Sequence, residues 1–310
     1  MKNQPLLTIR DLVKRFPKSR RSALDHVDAE VWGGKVTGLV GPDGAGKTTL
    51  IRIIVGLLIP TEGEVEVLGF NPVREAEQIH ERCGYMPQRF GLYEDLTVRQ
   101  NLSLYADLRG VLGEEREQTF ARLIQFTGLM RFADRKAGAL SGGMKQKLGL
   151  ACALISKPEL LLLDEPSVGV DPISRRDLWR MVQELVNEGI GVLWSTAYLD
   201  EAELCSQVIL LEEGKTLFSG PPKQLTERVG SRTFSLAVHD GRRKILARAL
   251  QHDSVIDGVV QGETIRLVLR PGDRRFEPAS IGAGANGELR PVKPRFEDAF
   301  VDVLGGRTQR

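Results

Sequence analysis

Residues 41–49 read Gly-Pro-Asp-Gly-Ala-Gly-Lys-Thr-Thr, and the spacing Gly-x4-Gly-Lys-Thr is that of a phosphate-binding loop. Glycines at 41, 44 and 46 let backbone N–H groups turn inward around a phosphate, and the helix that follows adds partial positive charge. Lys47 would neutralise the outer phosphate oxygens, and the Thr48 hydroxyl would ligate Mg²⁺. Pro42, Asp43, Ala45 and Thr49 complete the segment.

Two further segments carry chemistry only in combination with the first. Asp164-Glu165 closes an all-leucine stretch, 160–163, at the strand end where open α/β sheets bind ligands. Asp164 would hold the metal and Glu165 would polarise an attacking water as general base. Ser141-Gly142-Gly143 opens a helix over 144–155, and its free N–H groups form an anion site. Alone it is a good helix cap. Because the phosphate loop already has a helix terminus of its own, the spare one suits a phosphate held by a second molecule.

The elements that must position these residues follow from periodicity. A short apolar run at 36–40 leads into the Gly-rich loop, and a helix is expected over 47–58. Apolar residues at every position of 160–163 suit a parallel strand covered on both faces. Asp171-Pro172 marks a helix start, apolar residues recur at helical spacing through 186, and Gly189 ends the helix. A strand follows at 190–195, then a hairpin at 208–218. Strand signals vanish between Pro87 and Ser156, where Thr97 and Gln100 form a capping box for a helix to Arg109 and a second helix covers 114–126. The reading is an α/β fold with a mostly parallel sheet and a helical subdomain inserted at about 88–156. Pro221-Pro222 marks a boundary. Beyond it strands at 233–238, 255–260 and 264–269, helices at 242–250 and 296–304, and a loop at 271–291 describe a small α+β module over 221–310.

Bulk properties narrow the function. Lys and Arg number 43 against 41 Asp and Glu, so net charge points to neither a nucleic-acid nor an acidic partner. Cys83, Cys152 and Cys205 are widely spaced without CxxC pairing, as in buried thiols of a reducing compartment. The apolar stretches at 51–59 and 148–155 fall far short of the roughly 20 residues that span a bilayer. The first residues lack the apolar core of a secretory signal. A cytoplasmic protein is expected, attached to a membrane only through a partner.

Taken together the segments resemble the nucleotide-binding subunit of an ABC transporter, over about residues 6–220. The resemblance implies a P-loop ATPase core that binds ATP with Mg²⁺ and pairs head to tail with a second such domain, as a homodimer or an asymmetric heterodimer. It implies an integral-membrane permease, which would hold the chain on the cytoplasmic face of the membrane. Phe16 falls where the family stacks an aromatic on adenine. Gln88, in Gly-Tyr-Met-Pro-Gln, matches the glutamine that contacts Mg²⁺ and the attacking water, and Val170-Asp171 matches a loop crossing the dimer interface. Catalysis would rest on Glu165, Lys47 and Gln88. Ala197, in Ser-Thr-Ala-Tyr-Leu-Asp-Glu-Ala, departs from the family, which usually has histidine there; Asp43 stands where asparagine is commoner. Details around the motifs, including Arg295–Phe300, are similar to the first half of tandem-ATPase drug exporters, so export of drug-like cargo is expected. The alternatives are a non-hydrolysing regulatory subunit, for which Ala197 argues, and a ribosome-acting ABC protein, which the near-neutral charge does not support.

Overall fold

Two sheets of different kind share one core in the first part of the chain. The computed structural model describes residues 4–17, 19–89, 91–238, 240–272, 276–283 and 288–305. It divides into one unit of Met1–Glu201 with Cys205–Ser219 and a second of Ala202–Leu204 with Gly220–Arg310.

In the first unit, β1 (Leu7–Lys14), β2 (Leu24–Val31) and, after β3 (Val36–Val40), β4 (Glu62–Val67) supply an antiparallel sheet in the order β2-β1-β4. The sequence reading missed this sheet. Its strands join a mainly parallel sheet through α1 (Lys47–Ile54): Leu7, Val31 and Val67 share one apolar cluster with Leu50 and Ile53 of the helix and Leu39, Leu162 and Ile209 of the other sheet.

The second sheet has six strands in the order β5-β6-β7-β3-β8-β9, with β5 at Cys83–Met86, β6 at Leu160–Asp164, β7 at Gly191–Thr196, β8 at Gln207–Glu212 and β9 at Lys215–Gly220. Every residue of β3, β6 and β7 is buried, as apolar strands covered on both faces require. The parallel register pairs Val40 with Thr196 and Asp164 with Ser195, so the loops that leave β3, β6 and β7 emerge on one edge. That edge carries the candidate chemistry. Between β8 and β9, Glu213 and Gly214 both take positive φ, the backbone a tight two-residue hairpin turn needs.

The helices follow the expected caps, with one correction. Helix α1 ends at Ile54 rather than 58, because Gly56 turns left-handed (φ 73°) beneath Pro72, whose carbonyl oxygen would lie 2.6 Å from any Cβ there. A short α2 (Ala76–Arg82) precedes β5. Helix α3 (Val98–Leu108) starts at a complete capping box between Thr97 and Gln100, and α4 (Gly113–Thr127) ends at left-handed Gly128. Next comes α5 (Gly142–Ala153), capped by Ser141. Asp171 caps α6 (Pro172–Asn187) by accepting from Ile173 and Ser174 N–H, and α7 spans Leu199–Leu204.

The second unit begins with α8 (Pro222–Glu227), Pro222 occupying its first turn. A four-stranded antiparallel sheet follows in the order β11-β12-β10-β13, from β10 (Thr233–Ala237), β11 (Val255–Gln261), β12 (Thr264–Leu269) and β13 (Leu289–Pro291). Helix α9 (Arg242–Ala249) packs Ile245 and Ala249 onto Leu236, Ile265 and Leu267. Helix α10 (Phe296–Gly305) is tied by a buried pair in which the Arg266 guanidinium grips both Asp298 oxygens, at 2.8 and 2.6 Å. The stretch read as loop at 271–291 holds a 3-10 turn, Pro278–Ile281, and the edge strand β13.

Candidate nucleotide site

Each glycine of the phosphate loop has its own reason. A Cβ on Gly41 would meet the Leu211 carbonyl oxygen at 2.1 Å, and one on Gly46 (φ 108°) would meet that of Ala23 at 2.6 Å. Gly44 has open space around it, but its φ of 80° favours glycine all the same. Lys47, the first residue of α1, folds back so that Nζ donates to the carbonyls of Gly41 at 2.8 Å and Pro42 at 3.1 Å. A cleft of about 300 Å³ opens in front of it, lined by Asp43 to Thr49 with Ala23, Gln88 and Glu165. A second cleft, of about 470 Å³, shares Ala23, Asp43, Gly44 and Ala45 and adds Pro42, Arg21, Glu212 and Glu213.

The carboxylates meet the loop across the strand ends. Glu165 Oε1 lies 3.0 Å from Lys47 Nζ, and Gln88 Nε2 donates to Oε2 at 2.7 Å. Glu165 adopts positive φ (52°), which a residue with a side chain sustains only where its surroundings hold it. Part of that hold comes from Ser195: its Oγ accepts from the Glu165 N–H at 2.9 Å and donates to Asp164 Oδ1 at 2.8 Å. Burial pushes the Asp164 carboxyl above its usual range, opposed by the Ser195 and Thr48 hydroxyls.

The donor set suits a hard cation. Asp164 Oδ2 is buried with no hydrogen-bond partner, and the Thr48 hydroxyl stands close enough to influence the same carboxyl. Gln88 spends its NH₂ on Glu165, leaving its carbonyl oxygen. These are all oxygen donors. One carboxylate with hydroxyl and amide oxygens matches the way Mg²⁺ is commonly bound, by one or two carboxylates plus phosphate oxygens.

Other expected site residues stand apart from this cluster. Phe16 lines neither cleft; the residue is 39% exposed, with Lys14 Nζ 5.1 Å from its ring centroid. Ser141, Gly142 and Gly143 also line neither. Ser141 is exposed and accepts from the Met144 N–H, while Gly143 packs so tightly on α6 that a Cβ would lie 2.4 Å from Ser174 Oγ. Ala197 is exposed just beyond β7, whose last carbonyl, that of Thr196, accepts from Gly41 N–H at 3.3 Å. Sequence reasoning overlooked Ser195 and Ala23. The first gave no signal beyond its place one strand over from Asp164, and the second is an ordinary alanine far upstream.

A phosphate loop after the buried parallel strand β3, facing an Asp-Glu pair at the end of β6 with β7 between them, defines a P-loop nucleotide-binding protein. The pattern of the ABC transporter family matches residues 24–168. The chain is 36% identical over 308 residues to the daunorubicin resistance ATP-binding protein DrrA3 of Streptomyces coeruleorubidus, covering 96% of each. It belongs to the family of ABC transporter ATP-binding proteins. To the probable multidrug ABC transporter ATP-binding protein YbhF of Escherichia coli it is 54% identical over 309 residues, 98% of this chain and 53% of the relative. The chain thus spans about half the length of that relative. Among solved structures, the dimeric post-hydrolysis state of the ATP-binding cassette MJ0796 bound to ADP and Pi superposes with a TM-score of 0.64 at 27% identity, covering 69% of this chain and 98% of that one.

Proposed function

We propose that the chain is the ATP-hydrolysing subunit of an ABC exporter, working at an interface with a second cassette and driving a separate membrane permease. The observation that carries this reading is the Lys47–Glu165–Gln88 cluster at the mouth of the phosphate loop. The loop N–H groups and Lys47 bind the β- and γ-phosphates of ATP. Thr48, Asp164 and the Gln88 carbonyl hold Mg²⁺, which when bound neutralises phosphate charge. Glu165, aimed into the cleft, takes the proton of the attacking water. The exposed Ser141 N-terminus of α5 serves the γ-phosphate held by the other cassette, and the MJ0796 dimer supports such a pairing. An asymmetric pair, in which this chain completes a neighbour's site through Ser141–Gly143, accords with Ala197.

Among the described residues no helix is long and apolar enough to cross a membrane; attachment at the cytoplasmic face through the permease is part of this reading. The names of DrrA3 and YbhF support drug-like cargo. Ala197 favours one second reading, a subunit that binds ATP without cleaving it. Phosphate release by the full chain with Mg²⁺ and ATP decides between them: cleavage that Glu165→Gln abolishes supports hydrolysis, and binding without cleavage overturns it.

A further inference from the structure

We propose that Glu201 is a positioning residue for this site, joining the Asp171 loop to the end of β7, which lies between the strands that carry the phosphate loop and the carboxylates. Glu201 is 6% exposed, and none of the chemistry above uses it. Its two oxygens are nonetheless saturated. Oε1 accepts from Arg175 Nε and Nη2 at 3.1 and 2.9 Å; Oε2 accepts from Trp194 Nε1 at 3.0 Å and Thr196 Oγ1 at 2.7 Å.

The donors sit at opposite ends of a path. Arg175 belongs to the first turns of α6, and its N–H donates to the carbonyl of the cap residue Asp171 at 2.9 Å. Thr196 ends β7, and its carbonyl takes the Gly41 N–H. Next to it, Ser195 holds both Asp164 and the Glu165 backbone. Thr196 Oγ1 also accepts from Tyr198 N–H, and the Tyr198 ring lies 4.2 Å from the Arg175 guanidinium, so the exposed Ala197 is pinned on both sides. Both Arg175 donors converge on one carboxylate oxygen and the Trp194 and Thr196 donors on the other, so the carboxylate is held from both ends. A displacement of α6 therefore reaches Thr196 through one buried side chain. Misplacing catalytic groups by about 1 Å costs on the order of 10²-fold in rate.

This role rests on the hydrolytic function proposed above, and the test keeps the two apart. Steady-state phosphate release and ATP affinity are measured on the full chain with Mg²⁺, for wild type, Glu165→Gln, Glu201→Gln, Thr196→Val and the Glu201→Gln/Thr196→Val double variant. Glu201→Gln keeps the shape but sets an NH₂ against donors; Thr196→Val cuts the strand link and leaves the Arg175 pair. Each is expected to lower kcat by ~10- to ~100-fold with ATP affinity within about threefold. The double variant should be no slower than the slower single, because both act on one link. Wild-type kcat in folded Glu201→Gln, parallel loss of kcat and affinity, or additive losses would overturn the role. Should Glu201→Gln not fold, wild-type kcat in Thr196→Val does so alone. If wild type is no faster than Glu165→Gln, the hydrolytic function itself fails and Glu201 loses its role with it.

Discussion

Lys47 and Glu165 form an ion pair at 3.0 Å with side chains only 4% and 8% exposed. Two opposite charges in so dry a place compensate one another, and each would be costly alone. The pair brings the phosphate-neutralising cation and the candidate base, 118 residues apart in sequence (165 minus 47), to one point at the cleft. Gln88 holds the second carboxylate oxygen, so the base is oriented from two sides.

Replacing Glu165 with glutamine keeps a hydrogen-bonding group beside Gln88 and removes the base. Hydrolysis should fall by about 10²-fold or more while ATP binding persists, as phosphate release and nucleotide titration would record.

Asp164 makes a pH prediction. Its carboxyl titrates above the usual value of 3.8 because burial disfavours the charge. Stability from the protonated form is complete below 3.8 and lost as pH rises through the higher folded value, so at neutral pH the ionised carboxylate weakens the fold. Without Mg²⁺, Asp164→Asn should melt above wild type at pH 7, and the gap should narrow on acidification. Thermal melts across pH check both.

The loop glycines should differ in tolerance. Gly44→Ala meets open space and bears only left-handed strain, roughly 1–2 kcal/mol. Gly41→Ala drives a methyl into the Leu211 carbonyl and should cost more, with loss of ATP binding. Chemical denaturation and nucleotide titration of the two variants give the comparison.

In the second unit, Asp298→Ala strands the buried Arg266 guanidinium and should destabilise by about 3–5 kcal/mol. Arg266→Met with Asp298→Leu removes both charges and should recover most of that loss. Urea unfolding of single and double variants measures it.

What could be read from the sequence was local. Thr97 with Gln100, Asp171 with Pro172, and the four leucines of β6 announce themselves within a few residues, because caps and two-sided burial leave short patterns. The antiparallel sheet did not. Asp11 and His26 take positive φ, and the β1 pairings shift register near them, so strand alternation is interrupted. Strand β13 is three residues in a Gly- and Pro-rich stretch and exists through pairing with β10. Within the site, the phosphate loop and Asp-Glu pair were plain from spacing, whereas Ser195 and Glu201 act through contacts that no spacing encodes.

The most direct measurement concerns Ser141, which lines neither cleft on its own chain. Ser141→Arg and Lys47→Ala are each assayed alone and then mixed. Each alone should be inactive, Ser141→Arg while still binding ATP. Where the chain pairs with itself, the mixture should regain about a quarter of wild-type activity, since random pairing makes half the two-fold dimers mixed and each keeps one whole site. Hydrolysis by Ser141→Arg alone at the wild-type rate would contradict a site shared between two cassettes.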